Sequence, residues 1–346
     1  MEELLSKVEL NFENHSYTEE KKRKKSPTIW ALILIALISL ISILFKVIFT
    51  NQYKKIKDIL TFAESSVIGE INCSYDIKSI TQNTKLIGNE FTKDSLFDLY
   101  IDGKKVQYSK EYKFTSLGKH KVQIKLYQSL NMNYMFKDVK DLISVEMNSE
   151  NNCIIDSMIS TFENCNKLVD FNISGFNIER VRSMSKMFYN TSLSTFSPSS
   201  FNSKSLQDMS YMFAYSSVEK ISFNNFNSIR VKNMSNLFRN CTNLRDLNLY
   251  MLDTNEVNDM SYMFSNLEKL YYLSVITLKT SKVTNMSHMF QGCHLGELDL
   301  QFFNTKSVID MFFMFSNSRS LRSLDLSIFL HLMFLICHRC LEDVKI

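Results

Sequence analysis

The chain has 346 residues, is 45% apolar and carries a formal net charge of +4. That apolar content excludes a chain disordered throughout, and the small charge gives no reason to expect nucleic acid as a partner. Only 7 Gly and 2 Pro stand against 27 Phe and 18 Met, which argues against Gly-rich phosphate loops and Pro-rich linkers.

Residues 1–28 have mixed charge and are expected to form a disordered cytoplasmic tail. Residues 29–45, IWALILIALISLISILF, contain no charge. With residues 46–49 the stretch reaches 21 residues, about 30 Å of helix, the thickness of a bilayer core. A transmembrane helix is therefore predicted over 29–49, with the lipid bilayer as its partner. Trp30 suits the interfacial belt, and the long stem of Lys46 can reach the headgroups. A buried core helix is seldom apolar on every face for this length. A cleaved signal peptide fits poorly with so long a leader and no small-x-small pattern just after Phe49. Lys21, Lys22, Arg23, Lys24 and Lys25 precede the helix, whereas Lys54, Lys55 and Lys57 follow it. This bias favours a cytoplasmic N-terminus, giving a single-pass plasma-membrane protein of type II with its C-terminal part outside the cell. The basic run also suits anionic headgroups, although its simpler reading is a topology signal.

Residues 50–66 are basic and helix-compatible, as a stalk would be. Residues 67–130 are expected to form a small β-rich domain. The segment 96–101 is strand-like, Asp102-Gly103 is a hairpin turn signal, and residues 120–127 alternate polar with apolar. This domain is expected to cap the region C-terminal to it and hold that region off the membrane.

From Met132 the chain repeats itself. The anchor Met-x-x-Met-Phe, or a close variant, begins at Met132, Met158, Met184, Met209, Met234, Met260, Met286 and Met311, always 25 or 26 residues apart. A fixed period of this length signals stacked supersecondary units. Met, Met and Phe at i, i+3 and i+4 would share one face of a short helical turn. Apolar-x-apolar strand cores come after the anchors, at Phe171/Ile173, Ile221/Phe223, Leu247/Leu249, Leu273/Val275, Leu298/Leu300 and Leu324/Leu326. Single units cannot bury these side chains, but stacked coils bury them as ladders around a parallel sheet. The Met and Phe excess is thereby assigned to a core, not to a metal channel.

Segments such as Val283-Thr-Asn-Met-Ser-His-Met-Phe-Gln-Gly-Cys293 resemble the BspA-type leucine-rich repeat of bacterial and protist surface proteins. The resemblance covers residues 131–329, and implies an α/β solenoid with a parallel sheet and short helical turns. It also implies cell-surface display, with adhesion proposed for some members, and no catalytic residues. Residues 189–200 depart from the pattern, with Pro198 near the expected strand, and residues 330–346 read as a cap or a truncated end.

Outward strand positions would form the recognition face. Tyr250, Tyr272 and Ile276 make an apolar spot there, and with Asn248, Ser274 and Asp299 they are the candidate ligand-face residues. The ligand class expected is a macromolecule, protein or glycan. Self-association into a surface coat and a cytosolic scaffold are the alternative readings. Cys165, Cys241 and Cys293 share one repeat position and read as buried thiols, whereas Cys73, Cys153, Cys337 and Cys340 remain available for disulfides. The lone Cys337-His-Arg-Cys340 is too weak a zinc signal, so no metal, cofactor or enzymatic activity is expected. Sequons lie at Asn72, Asn172, Asn190, Asn233, Asn240 and Asn285, several of them products of the repeat wording itself.

Overall fold

The computed structural model describes residues 66–329, apart from 94, 198–200, 202, 225 and 326, together with Ile43, Lys46, residues 48–50 and Gln52. The chain divides into two compact units, Met1–Ser65 and Ser66–Ile346. In the first, the described residues are helical, and Thr50 Oγ1 donates to Lys46 O at 2.7 Å. The helix expected over 29–49 falls mostly outside the described residues, as do the tail, nearly all of the stalk and residues 330–346. Among the described residues, no helix is long and apolar enough to cross a membrane.

The second unit opens with strands β1 (Gly69–Ile77), β2 (Thr84–Lys85), β3 (Phe97–Ile101), β4 (Lys104–Val106), β5 (Glu111–Tyr112) and β6 (Gly118–Leu126). Next come β7 (Leu130–Asn131), β8 (Leu142–Asn148), β9 (Ile155–Ser157) and β10 (Asp170–Ser174). Six of these form one sheet in the order β10-β8-β1-β6-β3-β4. Period-two patterning drives it: in β1, Ile71, Cys73, Tyr75 and Ile77 point into the core and the residues between them do not. Asp102 and Gly103 both have positive φ, 48° and 79°, so the two-residue turn joining β3 to β4 matches the strand twist. The sheet runs across residue 130. Strand β8 pairs antiparallel with β1 on one side and parallel with β10 on the other.

Beyond β10 the chain is a β-solenoid made of short strands and turns. Strands β11 (Thr195–Phe196), β12 (Lys220–Ser222) and β13 (Asp246–Asn248) form a three-stranded parallel sheet. A second parallel row of single bridges links Ser183, Asp208, Asn233, Asp259, Asn285 and Asp310. In this row the side-chain oxygen of residue i accepts from the N–H of residue i+2, as in Asp208 to Ser210 and Asn233 to Ser235. At the sequons, Asn233 Oδ1 is thus held by the backbone, and Asn240 Oδ1 accepts from Asn266 Nδ2.

The Met-x-x-Met-Phe segments are not helical turns, which corrects the expectation from their spacing. Among the described residues of this unit, helical geometry is confined to a 3-10 turn at Ser327–Phe329. Each anchor instead forms successive β-turns with left-handed residues two and six positions after its first Met, as at Lys186 and Asn190 (φ 56° and 53°) or Tyr262 and Asn266 (56° and 57°). The backbone hydrogen bonds explain this geometry. From Met234, Asn236, Phe238 and Asn240 the N–H groups donate to the next coil, at Asp259, Ser261, Met263 and Ser265. Those of Leu237, Arg239 and Cys241 close turns within their own coil, onto Met234, Asn236 and Phe238. A helix would direct every N–H along its own axis and leave neighbouring coils unbonded. Left-handed backbone costs about 1–2 kcal/mol per non-Gly residue, and satisfying every buried amide of the turn offsets it.

Met, Met and Phe nevertheless face inward together. Eight phenylalanines, Phe136, Phe162, Phe188, Phe213, Phe238, Phe264, Phe290 and Phe315, stack face to face with centroids 5.4 to 6.1 Å apart and planes within 20°. This column is the spine of the core. The strand-core residues line its other side. Ile173, Ile221, Leu249, Leu273, Val275, Leu298 and Leu300 are buried, while Phe171, Leu247 and Leu324 are half-buried. The expected strands at 273–275 and 298–300 keep this inward packing but form no regular ladder, and residue 326 of the third, at 324–326, lies outside the described residues.

The described cysteines are all free and buried, so Cys73 and Cys153 form no disulfide with one another or with any other described cysteine. Cys165, Cys241 and Cys293 each donate to the carbonyl of the Phe in the column one coil back, Phe136, Phe213 and Phe264, at 2.8, 3.0 and 2.8 Å. Burial pushes the Cys241 and Cys293 thiols up to about 12, and Cys153 up to about 11. A raised acid pKa means that the folded state holds its proton where the unfolded chain has lost it. These thiols therefore contribute stability in full below the ordinary value near 9, and that contribution fades as pH climbs from there towards 12. Iodoacetamide at pH 8 with site-resolved mass spectrometry is expected to leave all five untouched in the native chain and to alkylate them in urea. Native labelling at Cys241 would contradict its burial.

Candidate functional site

The parallel ladder breaks twice. No strand pairing joins β10 to β11, where the repeat is irregular. The second break comes after β13. Arg245 N donates back to Glu219 O at 2.9 Å, yet no backbone hydrogen bond connects residues 245–250 with 271–276. Only Thr277 Oγ1 reaches across, to Leu249 O at 3.4 Å. Further on, Gly296 N meets Tyr271 O and Arg322 N meets Gly296 O, so coil-to-coil bonding resumes.

At this second break lies an open groove of about 370 Å³, within the range of ligand sites. Asn248, Tyr250, Tyr272, Ser274 and Ile276 line it, five of the six residues expected on the ligand face. Asp299 is exposed one coil further along and does not line the groove. Arg245 and Thr277, which flank the strand positions, complete the wall and were not legible as site residues, because neither stands in the alternating outward row.

Tyr250 and Tyr272 are 74% and 77% exposed. Leu249 and Leu273 turn inward, and that alternation aims the tyrosines outward. Asn248 Oδ1 is held by Tyr250 N at 2.9 Å, which fixes the amide and leaves its NH2 group uncommitted. The side chains of Arg245 and Asp246 form no hydrogen bond or ion pair with any described residue, and the hydroxyls of Tyr250, Tyr272 and Ser274 are likewise uncommitted. One cation and one anion leave the groove without net charge.

Two other grooves offer less. One is lined by residues 67–70 and Asn148, Glu150 and Asn151, and holds no aromatic side chain. The other likewise holds no aromatic side chain, and two of its charges are paired, Lys78 with Asp76 at 2.6 Å and Asp141 with Lys167 at 2.8 Å.

A Ser-His-Asp arrangement not visible in the sequence stands at the hairpins. His120 Nδ1 lies 2.7 Å from Asp102 Oδ2, and Nε2 lies 3.0 Å from Ser116 O and 3.3 Å from Ser116 Oγ. The ring is buried against Phe114, and its second nitrogen is nearer the main-chain carbonyl than the hydroxyl. That geometry ties two turns together, and no described groove opens onto it. Among the described residues, no group of three or more His, Cys, Asp or Glu is placed to hold a metal ion.

Stacked coils, a continuous aromatic core and a groove in the strand face define a repeat solenoid with its open surface on the sheet side. The chain belongs to the family of Mycoplasma proteins of unknown function DUF285, whose model matches twice, over residues 111–226 and 214–329. No curated protein and no solved structure matches it.

Proposed function

We propose that this chain is a recognition protein, a BspA-type repeat scaffold displayed from a membrane anchor, whose strand face binds a macromolecular ligand. The observation that carries this reading is the groove. Two exposed tyrosines and uncommitted polar side chains converge where the ladder opens. Aromatic side chains of this kind dominate binding hot spots. The apolar run at 29–49 and its basic flank support a type II anchor in the plasma membrane, and nothing in the charge favours nucleic acid.

Two measurements test this. In intact cells expressing the full chain with a C-terminal tag, external protease is expected to remove the tag; a protected tag would put the solenoid inside. Attachment of those cells to a lawn of partner cells is expected to fall to background in the Tyr250→Ala/Tyr272→Ala double variant. Unchanged attachment removes the groove from consideration.

Self-association is the second reading, and the last described coil favours it. Phe312 stands where earlier coils carry Ser185, Ser210, Ser235, Ser261 and Ser287, and Ile309 where they carry Arg182, Gln207, Lys232, Asn258 and Thr284. Both are exposed, as is Phe302. If coats form through this coil, sedimentation of the full chain will depend on concentration, and Phe312→Ser with Ile309→Lys will abolish that dependence.

A further inference from the structure

We infer that the groove between residues 245–250 and 271–277 is a site for a neutral oligosaccharide. This rests on the reading of the strand face as a recognition surface and names its ligand class. Three features of the groove carry it.

The first is the lining. A pyranose has an apolar C–H face and a rim of hydroxyls, each of which donates and accepts. The exposed rings of Tyr250 and Tyr272 offer flat surfaces for the former. Asn248, Ser274, Asp246 and Arg245 offer a mixed set of donors and acceptors for the latter, with the Asn248 amide already held in place. The second feature is charge. Arg245 and Asp246 cancel, so a sulfated or sialylated chain gains no net attraction, and burying its charge would cost more than burying hydroxyls.

The third feature is spacing. Tyr272 lies one period after Asp246, in the row that aligns Asp246 with Lys220. Tyr250 lies two residues past the end of β13, in the turn that follows Asn248. The two rings therefore enter the groove from neighbouring coils and from different positions along them, so a ligand that meets both spans two coils, which suits a short chain. An extended peptide adding as a strand would have to part coils that the ring column holds together. Phe238, Phe264 and Phe290 hold their coils 5.8 and 5.4 Å apart, whereas an inserted strand needs about 9–10 Å between its neighbours.

The test uses the full chain in nanodiscs, which avoid sugar-headed detergents, applied to a printed array of neutral, sialylated and sulfated oligosaccharides. Retention of neutral oligosaccharides is expected. Tyr250→Ala and Tyr272→Ala are each expected to weaken the best of them by about tenfold or more. The Tyr→Phe variants keep the ring and are expected to lose about threefold, the worth of one hydroxyl hydrogen bond. Both rings are exposed, so thermal midpoints should not move, which separates lost binding from lost fold. Retention of sulfated or sialylated chains alone overturns the neutral assignment. Tyrosine-dependent binding to a purified surface protein with no glycan retained overturns the glycan and leaves the recognition reading standing. Absence of tyrosine-dependent binding to either class overturns both.

Discussion

Replacing Phe238 by alanine is expected to cost the solenoid about 3–5 kcal/mol. The ring is fully buried, stacks on Phe213 at 6.1 Å and Phe264 at 5.8 Å, and meets Phe223 at 6.1 Å across the core. Its removal leaves a void midway along the column, bounded by two rings whose own turns are fixed by inter-coil hydrogen bonds. Collapse is therefore hindered, and the cost falls at the upper end of the range for large-to-small substitutions. Urea titration by circular dichroism should show a lower midpoint. It should also show a broadened or two-step transition, because a column bonded only to nearest neighbours splits where it is weakened. Phe302→Ala, at a 59% exposed position, should stay within about 0.5 kcal/mol of the parent. A loss at Phe238 under about 1 kcal/mol would mean that the column is not close-packed.

The second large effect is expected at Gly175, at the end of β10. Its φ is +71°, and an added Cβ would sit 1.8 Å from the Ser149 carbonyl oxygen. Ser149 cannot retreat. Its N–H bonds Ser174 O at 3.0 Å, and its Oγ donates to Ile68 O at 2.7 Å and accepts from Cys153 N at 2.8 Å. Gly175→Ala therefore combines left-handed strain of about 1–2 kcal/mol with an overlap costing about 1–3 kcal/mol. Gly103→Ala provides the contrast. There φ is +79° and nothing lies within 4 Å, so the strain alone remains. Thermal melts of the two variants should rank Gly175→Ala well below Gly103→Ala. Equal midpoints would show that the β8–β10 junction yields.

Much of this was legible in the residues. The period of the anchors located the coils, and alternation at Leu247/Leu249 and Leu273/Val275 assigned inside and outside. It also placed Asn248, Tyr250, Tyr272, Ser274 and Ile276 on one face. The Asp102-Gly103 turn was legible because its residue types carry a conformational preference. The anchor turns were not. Met, Met and Phe at i, i+3 and i+4 suit a helix and a run of β-turns alike. The Asn, Asp or Gly at most of the second left-handed positions carries such a preference, but residues at the first, such as Lys186, Tyr211 and Phe313, do not. Their backbone is set by hydrogen bonds to the next coil, a tertiary effect that spacing does not carry. The groove was half legible: its residues came out of the pattern, but the broken ladder that opens it did not. The 272–276 segment alternates as its neighbours do and still lacks their bonds.

The two long rows of contacts in this solenoid differ in continuity. On the turn side, the stacked rings and bridging amides run without a gap from Phe136 to Phe315. On the sheet side, the ladder stops between β10 and β11 and again after β13. A rod with one unbroken edge and one notched edge bends about the unbroken one. Tension applied between its ends would thus be met by a stiff aromatic backstay, while the notched side gapes at its two breaks. The groove sits in one of these notches, so a pull on the chain would widen it before any coil is lost.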